Sequence, residues 1–304
     1  MSGISVRFSA RAQAIVIAAL SVLALLVLTA CGSQGSSSAP SRSEAGTQEK
    51  SASVAGVRSL DEIKDSGTVR IGVFSDKAPF GFVDSNGEFA GYDVEYGRRI
   101  AEDLGVTPEF VTTEAASRVE FVDTGKVDVL LANFTVTPER QEKVDFANPY
   151  MKVALGAVTP DSAPINDPAD LVGKKVIVVK GTTAESYLEA KYPEVDLVKF
   201  EQYTEASNAL IDGRADAWVT DNTEALAFAN ASEGFSATIP TMGDIDTIAP
   251  AVKKGNTALL DWLNEHQVEL AKEEFFHKDF DKTLKPVYGD GIAADDLVVE
   301  GGQL

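Results

Sequence analysis

Hydrophobic and polar positions divide the chain into three parts. A largely apolar run covers residues 12–28 and follows Arg7 and Arg11, which is the charged-then-hydrophobic layout of a secretory signal. From Gly32 to about Gly56, small and polar residues dominate without apolar periodicity, which predicts a flexible tether. Beyond residue 57 the pattern is that of an ordered protein.

In this ordered part, apolar runs of strand length alternate with amphipathic stretches, a pattern typical of parallel sheets covered by helices. Ser59 and Glu62 have the spacing of a capping box, which predicts a short helix that Gly67 ends. The remaining elements of a first series are predicted as strands at 69–74, 80–83, 88–91, 109–112, 127–132 and 151–158, and helices at 93–104, 118–122 and from 138 onward.

A second series follows a proline-rich stretch at 160–168, with strands predicted at 176–179, 197–200, 217–220 and 237–239. The turn at 211–216 resembles the turn at 122–128, and each joins a predicted helix to a buried strand. Two lobes of similar build would explain this echo, although a generic helix-to-strand turn would produce it too. The segment 257–288 has apolar residues at helical spacing and is expected to pack back on the first lobe.

Charge and cysteine content narrow the function classes. The chain has 27 basic and 47 acidic residues, a net charge of -20, and removal of Arg7 and Arg11 gives -20 - 2 = -22. We expect no nucleic-acid partner, because phosphate binding depends on clustered cations. One cysteine leaves no internal disulfide, so burial must stabilise the fold. The roughly 245 residues after the tether suffice for one large domain or two lobes.

The single cysteine has a specific context. Leu28, Thr29, Ala30 and Cys31 resemble the lipobox of bacterial lipoproteins, in which the cysteine is acylated and becomes the mature N-terminus. The resemblance implies a lipoprotein signal peptide at 1–30, a tether at 31–57, and an exported protein lipid-anchored on the outer face of the cell membrane. The alternative is a leader in which this cysteine stands by chance.

Candidate binding chemistry lies where buried strands end and helices begin, because free N–H groups and the helix dipole there favour anions. The first such junction runs from Asn133 to Arg140, with Thr137 as a predicted N-cap and Pro138 at the first helical position. The second is the small-residue turn at 181–183. Together the two junctions are suited to clamping one carboxylate.

These two junctions and Asp221 resemble the family-3 bacterial solute-binding proteins, which are receptors for polar amino acids in ABC importers. The resemblance covers residues 58–290 and implies a type II clamp: two α/β lobes joined by two crossing strands near 155–159 and 248–252. It places lobe 1 at 58–157 plus 251–304 and lobe 2 at 158–250. Cysteine-binding members are the nearest likeness, through the stretches 117–121, 133–135, 149–156, 248–255 and 275–278.

By matched position, the resemblance implies that Arg140 binds the α-carboxylate of the ligand through a bidentate guanidinium contact. Thr135 would add its hydroxyl and N–H, and the N–H groups of Thr182 and Thr183 would complete the cradle from the other lobe. Asp221 would receive the α-ammonium group. The remaining expectations are the carbonyl of Asn133 as a second ammonium acceptor and Arg118 for a distal carboxylate.

Two departures from the wider family bear on the ligand. Lys77 stands where many members place an aromatic residue that stacks on the ligand, and Thr220 replaces a histidine common before the matched aspartate. Both disfavour glutamine and basic amino acids, so cysteine or cystine is predicted first and glutamate or aspartate second. Arg118 does not decide between these, because both groups of receptors have it.

Structural roles compete with each assignment. Arg140 and Arg118 would be solvated surface residues, Asp221 would be an N-cap paired with Glu224, and Asn133 would simply turn its strand. Thr182 and Thr183 would only begin a helix.

Catalytic machinery is not visible in the sequence. The two histidines, His266 and His277, are predicted to be surface residues of helices, and no zinc-binding pair, Walker loop or serine elbow occurs. We therefore expect no enzyme, cofactor or metal, although abundant carboxylates leave a general acid open. The expected protein is a monomeric receptor that delivers its ligand to an ABC transporter permease. The alternatives are a dehydratase-like enzyme on the same fold and a surface adhesin lipoprotein.

Overall fold

The computed structural model describes residues 56–303. The predicted signal peptide, Cys31 and nearly all of the tether lie outside the described residues. The helices of the described part include none with the length and apolar character needed to cross a membrane.

The strands and helices follow the predicted order closely. The strands are β1 (Thr68–Val73), β2 (Asp76–Lys77), β3 (Gly81–Val83), β4 (Phe89–Ala90), β5 (Thr107–Thr112), β6 (Val129–Leu130), β7 (Val144–Phe146), β8 (Met151–Pro160), β9 (Lys175–Val179), β10 (Asp196–Phe200), β11 (Ala217–Asp221), β12 (Phe235–Ile248) and β13 (Ala251–Lys253). The α-helices are α1 (Leu60–Ser66), α2 (Tyr92–Leu104), α3 (Arg118–Asp123), α4 (Pro138–Gln141), α5 (Thr183–Lys191), α6 (Tyr203–Ile211), α7 (Asn222–Ala231), α8 (Thr257–Ala271), α9 (Phe275–Asp279), α10 (Lys285–Tyr288) and α11 (Ala294–Leu297).

The strands form two five-stranded sheets and one small sheet. The first sheet has the order β5-β1-β6-β13-β7, with β1 parallel to β5 and β6 and with β13 antiparallel. The second sheet has the order β10-β9-β11-β8-β12. In it, β9 is parallel to β10 and β11, and β8 is antiparallel to both of its neighbours, β11 and β12. The small sheet β2-β3-β4 follows β1 directly.

Local sequence explains how several elements begin and end. Ser59 and Glu62 form the predicted capping box at the start of α1, and Gly67 ends the helix with a left-handed φ of 72°. Gly105 ends α2 in the same conformation, with φ 72°. These sequence predictions are confirmed.

The chain passes between the two sheets at neighbouring points. It leaves β7 for β8 between residues 146 and 151, and it returns from β12 to β13 between residues 248 and 251. Met151 pairs with Ile248, so the two crossings lie side by side. Because Leu155–Val158 pair with β11 of the second sheet, the first crossing lies near Met151 and not at the expected residues 155–159. The lobe boundaries at 157 and 250 stay predictions.

The two turns that resemble each other in sequence also share their construction. Gly125 and Gly213 both have a φ of 68°, a conformation that glycine adopts without steric cost. Asp128 accepts a hydrogen bond from the backbone N–H of Arg70 (2.8 Å), and Asp216 accepts one from the N–H of Lys175 (2.9 Å). In each sheet, an aspartate after the turn therefore fixes the start of the neighbouring strand.

The C-terminal helices share one hydrophobic core with the first sheet. Leu259, Leu263 and Leu270 of α8 are buried in the same cluster as Val69 and Ile71 of β1. Burying each such side chain contributes about 1.5–3 kcal/mol. The expected packing of the segment 257–288 is thus observed.

The prediction that both histidines lie on the surface is wrong for His266. Its side chain is stacked on Trp262 with ring centroids 4.6 Å apart, and the residue is only 7% exposed. Its Nε2 lies 2.7 Å from an Asp103 carboxylate oxygen. Helical spacing alone does not show that an aromatic neighbour will cover a polar ring.

Candidate functional site

A strained turn after β6 organises one wall of the candidate site. Ala132 and Asn133 have φ angles of 36° and 44°, which non-glycine residues adopt at a cost of about 1–3 kcal/mol. The N–H of Asn133 donates to Asp93 Oδ2 (2.6 Å), and the hydroxyl of Tyr150 donates to Asp93 Oδ1 (2.6 Å). Burial raises the pKa of Asp93 to about 6 despite these hydrogen bonds. This buried carboxyl group holds the turn in place.

Arg140 lies at the start of α4, and the hydroxyl of Thr137 accepts a hydrogen bond from its backbone N–H as the predicted N-cap. Its guanidinium donates to the carbonyl of Thr135 (2.7 Å) and to the carbonyl of Gly181 (3.0 Å). Burial, followed by repulsion from Arg118, lowers the pKa of Arg140 to about 9. The side chain keeps some solvent contact and remains a cation at neutral pH.

Arg118 is buried, with 3% of the residue exposed, so its interpretation as a surface arginine is wrong. Its Nε donates to Ala115, and its Nη1 donates to the carbonyls of Ala132 and Asn133 (3.2 and 3.3 Å). Its Nη2 donates to the carbonyl of Gly181 (3.0 Å). Burial lowers the pKa of Arg118. Arg118 thus links the strained turn to the second junction.

The two guanidinium groups converge on a single carbonyl oxygen, that of Gly181. Within residues 56–303, neither Arg118 nor Arg140 forms an ion pair with a carboxylate. Buried charges in proteins are normally paired with an opposite charge. The arrangement therefore has the chemistry of an anion site.

Thr182 and Thr183 begin α5 at the other side of this junction. Thr182 is the N-cap: its hydroxyl accepts from the N–H of Glu185 (3.3 Å) and donates to the carbonyl of Val179 (2.6 Å). Its structural role is therefore observed. The backbone N–H groups of Thr182 and Thr183 form no hydrogen bond within the described part of the chain. Both donors are available to an anion.

Asp221 ends β11 and is the N-cap residue of α7, so its predicted N-cap position is confirmed. Its side chain, however, accepts no capping hydrogen bond from that helix. Lys77 reaches it from β2, donating from Nζ to Asp221 Oδ2 (2.5 Å) and to Asn133 Oδ1 (2.7 Å). Lys77 is 1% exposed. Burial acts to lower the pKa of Lys77, but the negative charge of Asp221 outweighs it and raises this pKa above its usual value.

The expected role of the Asn133 carbonyl differs from its observed contacts. The carbonyl faces Arg118, while the side-chain oxygen of Asn133 faces Lys77. Its side-chain nitrogen is buried without a partner among the described residues. Positive φ at Asn133 rotates the carbonyl, and a strand assignment for residues 127–132 could not anticipate this. Thr135 is buried beside the turn, and its carbonyl accepts from Arg140.

Sequence reasoning missed two members of the site. Lys77 was identified as a departure from the family but not as the partner of Asp221, and Gly181 was noted only as part of a turn. Glu224 lies nearby and is buried, and burial raises its pKa to about 8. Lys77 directly follows the polar residues Ser75 and Asp76, so no local pattern distinguishes it as a member of the site.

Comparison with known proteins agrees with this geometry. Residues 69–284 match the sequence model of the family described as bacterial extracellular solute-binding proteins, family 3. The chain belongs to this family. The match covers both junctions, both five-stranded sheets and the two crossings.

Individual relatives extend the comparison. The chain is 30% identical to the ABC transporter glutamine-binding protein GlnH of Bacillus subtilis over 88% of this chain and 96% of that one. It is 48% identical to the solute receptor for L-cysteine of Neisseria gonorrhoeae, covering 80% and 100% of the two chains with a TM-score of 0.78. The cysteine-binding protein of Campylobacter jejuni gives 48% identity, coverage of 79% and 98%, and a TM-score of 0.78. The predicted two-lobed type II α/β fold is confirmed.

Proposed function

We propose that this protein is the lipid-anchored substrate-binding component of an amino acid ABC importer. It captures a polar amino acid between the two sheets and delivers it to a membrane permease. The observation that carries the proposal is the convergence of Arg118 and Arg140 on Gly181 without a carboxylate partner in the described residues. An α-carboxylate would supply the anion that this arrangement lacks.

Arg140 is the best candidate to bind that carboxylate. Its guanidinium uses two carbonyl acceptors, and its side chain is the more exposed of the two arginines. The free N–H groups of Thr182 and Thr183 would bind the same carboxylate from α5, a nine-residue helix whose dipole favours anions. Thr135 lies on the Arg140 side and would complete the cradle.

Asp221 is proposed to receive the α-ammonium group. Lys77 contacts only Oδ2 among the hydrogen bonds of the described chain, so Oδ1 can accept from a ligand. Asp221 also acts electrostatically on Arg140, which means that opposite charges face one cleft. A zwitterion satisfies both ends at once, and closure of the two lobes then follows from its differential binding to the closed state.

The ligand is proposed to be cysteine or cystine first, and glutamate or aspartate second. The cysteine receptors of Neisseria gonorrhoeae and Campylobacter jejuni, each 48% identical to this chain, support the first choice. The two arginines support the second, since a distal carboxylate has a cationic partner available in Arg118. The carbonyl contacts of Arg118 make it a weaker ligand for such a carboxylate than the sequence suggests.

Titration calorimetry of the purified protein with single amino acids tests the function. Arg140→Ala should weaken binding at least 100-fold, because truncating one partner of a buried charge pair costs about 3 kcal/mol or more. Arg214→Ala is the matched control, since Arg214 is exposed and stacks on Phe200. Undiminished affinity in the Arg140 variant, with the fold intact by circular dichroism, would refute the assignment. Turnover of a bound amino acid would instead favour an enzyme.

The anchor is tested separately. Cys31→Ser should release the protein from the membrane fraction to the soluble exported fraction, and mass spectrometry of the wild-type N-terminus should show an acylated cysteine. Membrane retention of the serine variant would count against lipidation at this residue. Loss of uptake on deletion of the gene, with binding intact in the purified protein, would support delivery to a permease.

A further inference from the structure

The environment of Lys77 is that of a bound cation. Its ammonium lies over three aromatic rings, 4.7 Å from the centroid of Tyr203, 5.4 Å from that of Phe80 and 5.7 Å from that of Phe74. The carboxylate of Asp221 completes this set, which we call the cation cage. Rings around a cation within about 6 Å, together with an acidic group, are how proteins recognise free ammonium ligands.

The cage is assembled across the cleft. Phe74, Lys77 and Phe80 belong to the segment of β1 and the small sheet, whereas Tyr203 begins α6 and Asp221 ends β11 of the second sheet. The same segment also supplies Asp76, whose carboxylate accepts from the N–H groups of Tyr203 and Thr204 (2.8 and 3.3 Å). The neighbouring carboxylate therefore holds α6, and with it the ring of Tyr203, against Lys77.

The cage is filled by the chain itself. Lys77 is 1% exposed and has both an anionic and an amide oxygen acceptor. A ligand side chain with a positive charge would have to displace this ammonium or lie beside it in a site with low solvent exposure. A neutral side chain meets no such repulsion, and an anionic side chain is attracted to the ammonium.

Resting on the proposed function, we propose that Lys77 determines the side-chain class of the ligand. By occupying the cation cage, it excludes amino acids with cationic side chains, such as arginine, lysine and ornithine, and leaves the cleft to neutral or anionic ones. The cage itself has the chemistry to bind a cationic side chain. One residue thus separates this receptor from a receptor for basic amino acids.

Calorimetry with L-cysteine, L-glutamate and L-arginine on the wild type and on Lys77→Ala tests this inference. The measured quantity is the ratio of association constants for arginine and for the better of the other two ligands. Lys77→Ala removes the charge and opens the cage, so this ratio should rise at least tenfold. Lys64→Ala, which removes an exposed lysine of α1, is the matched control and should leave the ratio unchanged.

Lys77→Met retains the volume of the side chain and removes only its charge. The ratio should rise in this variant as well, by less than in Lys77→Ala. If the alanine variant fails to fold, the ratio measured for Lys77→Met tests the inference. A ratio within twofold of the wild type in a folded Lys77 variant overturns the inference, as does a wild type that binds arginine as tightly as cysteine or glutamate. A wild type that binds no amino acid refutes the proposed function instead.

Discussion

Replacing Gly181 by alanine tests whether the two lobes close at the contact described above. A Cβ at Gly181 would lie 2.5 Å from Cα and 2.8 Å from N of Ala116, and 3.0 Å from the carbonyl carbon of Ala115. These are backbone atoms, so no rotamer change relieves the contact. Carbon atoms pack at about 3.5–4.0 Å, which means that Ala116 must retreat by roughly 1 Å.

Two costs follow from this substitution, and they act on different equilibria. Gly181 has a φ of +73°, and an L-residue in that region costs about 1–2 kcal/mol in the open and the closed form alike. Under the proposed hinge motion, the contact with Ala116 would form only in the closed form. A retreat of about 1 Å would also break the two 3.0 Å hydrogen bonds from Arg118 and Arg140 to the Gly181 carbonyl. With about 1.5–3 kcal/mol for each of the two charged donors, closure loses about 3–6 kcal/mol, or at least about 100-fold in affinity.

Gly213→Ala separates the two costs. Gly213 has a φ of +68°, but a Cβ there would meet no atom within 4 Å. Both variants should therefore lose about 1–2 kcal/mol in urea unfolding, whereas only Gly181→Ala should lose affinity in calorimetry with the amino acid that binds the wild type. Equal affinities for the two variants would show that closure does not bring Gly181 against Ala116.

Two further predictions concern buried acids. Burial raises the pKa of Glu224 to about 8 from an ordinary 4.5, so the folded protein keeps a proton that the unfolded chain releases. The free energy of unfolding should therefore fall as pH rises between these values, by up to about 1.4 kcal/mol per pH unit from this group. In Glu224→Gln, the urea midpoint of unfolding should depend less steeply on pH over that range. An unchanged pH dependence contradicts the assignment. Burial acts to raise the pKa of Asp128, but hydrogen bonds from Arg58 and Arg70 outweigh it and lower this pKa. Asp128→Asn should therefore lower the free energy of unfolding by about 3 kcal/mol at neutral pH, and by less in acid, where Asp128 of the wild type becomes protonated. The control Asp123→Asn replaces an exposed aspartate and should lower it by under about 1 kcal/mol in the same unfolding assay.

Local signals predicted the parts of the fold that local chemistry determines. The capping box at Ser59 and the paired glycine turns at Gly125 and Gly213 depend on residues a few positions apart, and all of them occur as expected. Strand β12 extends from Phe235 to Ile248, although only 237–239 was predicted. Bulges between Ile239 and Asp246 accommodate the proline and the glycine of this segment within the strand. From the sequence alone, these two residue types indicate a turn.

The site was harder to predict because its contacts join distant parts of the chain. Lys77 and Asp221 are 144 residues apart, and neither has a local pattern that indicates the other. The residue types at the two junctions indicated an anion site, since they resemble a known family. Whether an arginine there faces a ligand or a carbonyl depends on backbone angles such as those of Ala132 and Asn133, which the sequence does not display.

The two arginines are not equivalent, although both donate to Gly181. A guanidinium has five N–H donors, and Arg118 uses Nε and both terminal nitrogens on four carbonyl oxygens. Arg140 uses two terminal nitrogens on two carbonyls, so more of its donors can turn to a carboxylate. Burial, followed by repulsion from Arg118, lowers the pKa of Arg140, and an incoming anion would relieve that repulsion. Under the proposed function, Arg118 would therefore act on the ligand mainly by positioning Gly181 and adding positive potential, while Arg140 would provide the direct contact.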